Sequence, residues 1–94
     1  MAMIKLANAK ARLLFEDLTL TCTPAQFIER YKAYFPEDVD ILAKMFKSQG
    51  CNDTITRVRI KNYLSNIYKT GKTVLVNQEK EKQTLIAMYN HDTN

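Results

Sequence analysis

The side chains best placed to do chemistry are cations and amides that share one helical pattern. At ~100° per residue, Arg59, Lys61, Asn62, Ser65, Asn66 and Lys69 fall on one arc of the segment Thr56 to Lys69. Ile60, Tyr63, Leu64 and Ile67 fall on the other arc. Arginine and lysine neutralise phosphates or hydrogen-bond the guanine edge, and asparagine pairs bidentately with adenine, so an exposed helix carrying both is equipped to read a major groove. Lys72, Lys80 and Lys82 follow as candidate phosphate contacts. The stretch from Asp53 to Lys82, with Arg57 added, carries the whole formal charge of +4 of a chain whose pI is near 9.1. Such a balance permits attraction to phosphate.

Catalytic constellations are not apparent. His91 is the only histidine and lies in a polar stretch, a poor setting for a general base. Asn66 to Thr73 reads NIYKTGKT, one glycine short of a phosphate-binding P-loop. That loop must run from a strand into a helix, whereas here Gly71, Lys72 and Thr73 are expected to run from a helix into a strand. Cys22 and Cys51 are too few for a disulfide framework, and with His91 they lack metal-ligand spacing. The chain is therefore expected to be no enzyme and to need no cofactor or metal.

Ninety-four residues with 46% hydrophobic content suit one small domain spanning 1–94. Ile4 to Phe15, rich in Ala, Leu and Lys, predicts a helix, and the alternation of Leu18, Leu20 and Cys22 with threonines predicts a short strand. Thr23, Pro24 and Gln26 form a capping-box start for a helix whose face carries Phe27, Ile28, Tyr31, Tyr34 and Phe35. Pro36 interrupts it. Glu37, Asp38 and Asp40 then suit the positive end of a third helix, Val39, Leu42, Met45 and Phe46 supply its apolar face, and Gly50 closes it.

Asp53, Thr54 or Thr56 is expected to cap the next helix, and Gly71 to end it. Thr73 to Val76 and Gln83 to Met88 read as two strands around the charged turn Asn77 to Lys82. The expected architecture is mainly α: about four helices, counting the N-terminal one, then a two-stranded C-terminal hairpin. It divides into a helix and short strand over 1–22, a core over 23–88 and a polar tail over 89–94.

Helices followed by a basic hairpin resemble the winged helix-turn-helix family, in which the third helix of the core enters the major groove and the wing touches the flanking backbone. Ile60 to Lys72, IKNYLSNIYKTGK, also resembles the recognition helix of LuxR/GerE-type regulators. That likeness implies that Lys61, Asn62, Ser65 and Lys69 face DNA. The expected function is non-enzymatic nucleic-acid binding by a recognition helix and wing, most commonly in transcription regulation, with DNA as partner and RNA equally compatible with phosphate contacts.

A second expectation is a small protein-binding adaptor or inhibitor, virus- or plasmid-encoded, that meets a host protein through Tyr31, Tyr34, Tyr63 and Tyr68. Met1 to Leu20 breaks its apolar pattern with Lys10, Arg12, Glu16 and Asp17, and no segment reaches ~18 apolar residues. A cytoplasmic, membrane-free protein is expected, as monomer or homodimer.

Overall fold

The computed structural model describes residues 4–92, with side chains through Tyr89. Four helices follow one another: α1 (Ala7–Leu18), α2 (Pro24–Tyr34), α3 (Pro36–Ser48) and α4 (Asp53–Asp92). The predicted hairpin is absent, and no strand occurs among the described residues. Thr73 to Val76, Asn77 to Lys82 and Gln83 to Met88 are all turns of α4. At ~1.5 Å per residue its 40 residues run ~60 Å, matching the long dimension of 63 Å in a molecule otherwise 25 by 17 Å.

The local signals at the first three helices act as their chemistry requires. Thr23 accepts from the Gln26 N–H at 3.1 Å while the Gln26 side chain accepts from the Thr23 N–H at 2.9 Å, closing the capping box ahead of Pro24. Pro36 opens α3 directly after α2, and Gly50, at φ 88°, turns the chain out of α3. Leu18 to Cys22 forms no strand. It is the end of α1 and a tight turn in which Thr19 takes φ 73° and its N–H bonds the Phe15 carbonyl at 2.8 Å. The cap of α4 is Asn52, whose Oδ1 accepts from the Ile55 N–H at 2.9 Å, in place of Asp53, Thr54 or Thr56.

The core gathers where α1, α2 and α3 clasp the first half of α4. Leu14, Phe27, Tyr31, Leu42 and Leu64 are fully enclosed. Phe15, Phe27 and Tyr68 form an aromatic cluster with ring centroids 5.1 to 5.6 Å apart. Burying such rings is the main stabilising term in a core this small. Inside it, Asp38 accepts from the Tyr31 hydroxyl at 2.6 Å and from Lys10 at 2.7 Å, tying α1, α2 and α3 through one carboxylate.

Gly71 ends no helix. It is buried mid-α4, where a Cβ would stand 2.8 Å from the Ala11 Cβ and 3.4 Å from the Phe15 ring. The missing side chain lets α1 and α4 cross closely, so glycine here serves packing instead of a left-handed cap. The NIYKTGKT string is thereby helical throughout, and no backbone loop exists in it to cradle a phosphate.

Candidate nucleic-acid interface

α4 keeps one face against the other helices through Ile60, Leu64, Tyr68 and Gly71, which leaves the opposite arc outside. Arg59, Lys61, Asn62, Asn66 and Lys69 are exposed on that arc, and Ser65 and Lys72 are half-buried along it. Because 18 residues make five turns at 3.6 per turn, Lys80 falls directly in line with Asn62, and Lys69 lies ~20° from that line. Lys61 to Lys80 thus forms one flank ~28 Å long. Between Thr54 and Gln78 the helix carries five cations and no acid. Among the described side chains, none of those five is bridged to a carboxylate.

Two positions are constrained by neighbours. Arg59 sits at the edge of the flank with its guanidinium carbon 5.9 Å from the Phe46 ring centre of α3, held toward the body of the protein by a cation–π contact. Lys72 lies 5.6 Å over the Tyr68 ring, with its ammonium 3.4 Å from the Tyr68 hydroxyl, which in turn donates to the Cys22 carbonyl at 2.7 Å. The half-exposed ammonium is tethered to the core and presented in one place. Burial pushes the Cys22 thiol up from its usual pKa, and the Lys72 charge partly offsets that rise.

Lys82 leaves the set. Two residues apart on a helix means ~200°, so Lys80 and Lys82 point to opposite sides and cannot share a surface as they would at a hairpin tip. Lys82 instead borders a groove of about 350 Å³ between α1 and α4, floored by Phe15, Leu20 and Leu75. Across its mouth, Arg12 donates to the Gln78 side chain at 2.7 Å. The tyrosines expected at a protein interface are mostly structural. Tyr31 and Tyr68 are buried, Tyr63 is half-buried, and the exposed Tyr34 donates to Asp17 at 2.9 Å to join α2 to α1.

The groove and the helix that projects past it had no sequence expectation. Their signal is the core spacing itself, since Ile60, Leu64, Tyr68, Gly71 and Leu75 fall at three- and four-residue steps that pass through Glu79 and Lys82 before reaching Ile86 and Tyr89. Among the described residues, no three His, Cys, Asp or Glu side chains converge as a metal site, and no helix is long and apolar enough to cross a membrane. His91 belongs to the last turn of α4, where its side chain lies outside the described ones. No family model, curated protein or solved structure matches this chain.

Proposed function

We propose that this protein is a non-enzymatic nucleic-acid-binding protein that applies the outward flank of α4 to duplex DNA. The observation that carries the reading is the acid-free run from Thr54 to Gln78, which concentrates Lys61, Lys69 and Lys72 on one exposed side of a straight helix together with Asn62 and Asn66. A helix ~10 to 12 Å across enters a major groove ~12 Å wide. With its core face covered by α1, α2 and α3, α4 approaches by this flank. The asparagines then reach base edges, and the lysines on either side reach phosphates. Lys80, ~16 Å beyond Lys69, meets the backbone farther along.

This reading differs from a winged helix. Beyond Gly71 the described residues continue only as the same helix, with no wing to grip the flanking backbone. Affinity rests on phosphate neutralisation and must weaken steeply with salt, each contact adding about 0.9 to the slope of log affinity against log salt. The test is fluorescence anisotropy of a labelled duplex at several salt concentrations, comparing the natural chain with the triple variant Lys61→Gln, Lys69→Gln, Lys72→Gln. The variant is expected to bind at least about tenfold more weakly at low salt, with a slope shallower by about 3. A natural chain that fails to bind at low salt, or a variant that binds equally well, overturns the proposal.

A further inference from the structure

The projecting end of α4 is unusual for a helix in water, because among the described residues it exposes a cluster of apolar side chains that no other element covers. Leu85 is 66% exposed, Ile86 44%, Met88 58% and Tyr89 69%. They lie within two turns: Ile86 and Tyr89 continue the core face, Leu85 borders it, and Met88 stands ~120° from its centre. The other end of the same face holds the groove floored by Phe15, Leu20 and Leu75. An apolar tip and an apolar cleft therefore stand on one helix face, separated by the charged turns Glu79 to Lys82.

The order of residues between them says what fits there. Reading outward in both directions from the bond between Lys80 and Glu81, the sequence is a palindrome of chemical type. Lys80 answers Glu81, and Glu79 answers Lys82, each a pair of opposite sign. Gln78 answers Gln83. Val76 answers Leu85, and Leu75 answers Ile86, apolar against apolar. An antiparallel two-fold axis at that bond brings the counterparts on the shared face opposite one another, Glu79 against Lys82 and Leu75 against Ile86, while Lys80 points away. Parallel pairing sets each residue of the face against itself, with lysine on lysine and glutamate on glutamate.

We infer that a second copy of this chain docks antiparallel on the projecting half of α4, so that each copy's apolar tip fills the groove at the foot of the other. The face is the correct one. Leu75, Glu79, Lys82, Ile86 and Tyr89 fall at steps of four, three, four and three residues and share one side of the helix. The axis exchanges Leu75 with Ile86 and Glu79 with Lys82, placing the partner subunit's Ile86 over Leu75 and the partner subunit's Lys82 beside Glu79, and it sets Tyr89 toward the partner subunit's Lys72 at the edge of that face. Contact is isologous, with the same patch used twice and both grooves closed. Across the interface, opposite charges fix register and orientation, because a slip by three residues sets Glu79 against Glu79 or Lys82 against Lys82. The lysine flank that includes Lys69 and Lys80 remains outside, so the pairing is independent of nucleic-acid binding and the two can fail separately.

Sedimentation equilibrium across the micromolar range tests the pairing. The natural chain is expected to rise from 10.9 kDa toward twice that mass. Ile86→Asp should remain monomeric with unchanged thermal unfolding of the core, which shows that its fold is intact. Glu79→Lys should weaken association by about tenfold or more by setting lysine against lysine, and Glu79→Lys combined with Lys82→Glu should restore it. Orientation is read by mixing Leu75→Cys and Ile86→Cys chains, each also carrying Cys51→Ser to remove the half-buried native thiol. Disulfides between the two kinds of chain support the antiparallel pair. A chain that stays monomeric, a dimer indifferent to Ile86→Asp, a charge swap that fails to restore association, or links formed only between identical chains overturns it.

Discussion

Up to Leu75, α4 keeps a face against three other helices; past Val76 the same face meets solvent. The two halves are helical for different reasons. The first is poor helix material, with Thr54, Ile55, Thr56, Val58, Ile60, Gly71, Thr73 and Val74 along it, and it depends on packing of Ile60, Leu64 and Tyr68. The second is locally favourable through its middle, where Gln78 to Gln83 are good helix formers and Gln83 donates to Glu79 at 3.3 Å. A helix imposed by tertiary contacts thus continues as one supported by its own residues. The clad half fixes the direction of the flank, and the projecting half extends it.

Truncation should separate the halves most sharply. Leu64→Ala, at a fully enclosed site, is expected to lower stability by about 2 to 5 kcal/mol, seen as a reduced urea midpoint. Helix proximity at the crossing is tested next. Gly71→Leu forces α1 from α4 and should cost about 1 to 3 kcal/mol, although leucine is the better helix former.

A pH effect should also belong to the clad half. Burial, with the hydrogen bond and negative charge of Asp38, raises the Tyr31 hydroxyl well above its ordinary value of 10.0. Folded Tyr31 therefore keeps its proton while the unfolded chain loses it. Stability from this group is complete below about pH 10 and declines as pH rises above that. Tyr31→Phe should flatten the alkaline decline, while costing about 1.5 to 3 kcal/mol at neutral pH through the hydrogen bond lost by Asp38. The smallest effect is expected beyond the groove. Leu85→Ala should change the stability of the dilute monomer by no more than about 0.5 kcal/mol, and a loss as large as that of Leu64→Ala would erase the distinction between the halves.

Signals confined to a few residues were legible in the sequence. Thr23 with Gln26, Pro36 and Gly50 each act through their own backbone neighbourhood, so their meaning did not depend on the fold. The outward arc from Arg59 to Lys69 was legible for the same reason, since helical period alone separates it from Ile60 and Leu64. The hairpin was misread because β-branched Thr73, Val74 and Val76 favour strands locally. The contrary signal was present: Asn77 to Lys82 has no Gly or Pro to turn the chain, and the apolar spacing from Ile60 to Leu75 never breaks.

Gly71 and Lys82 show where local reading stops. A glycine at the apparent end of a pattern resembles a cap until Ala11, sixty residues away in sequence, is found against it. Lys82 joined Lys80 only on a hairpin tip, and a continuous helix turns them apart. The groove could not be read at all, because its walls come from α1 and α4 and exist only through their crossing. Tyr68, expected among the contacts to a protein partner, is part of the core for a related reason: its ring completes a cluster with Phe15 and Phe27.

Amide chemical-shift mapping of the isotopically labelled chain, with and without a short DNA duplex at low salt, tests the central claim most directly. The account predicts perturbations centred on Lys61, Asn62, Ser65, Asn66, Lys69 and Lys72, extending to Lys80 and leaving Tyr63, Ile67 and Lys82 little changed. Perturbations centred on α1 and α2, or none at all, would contradict it.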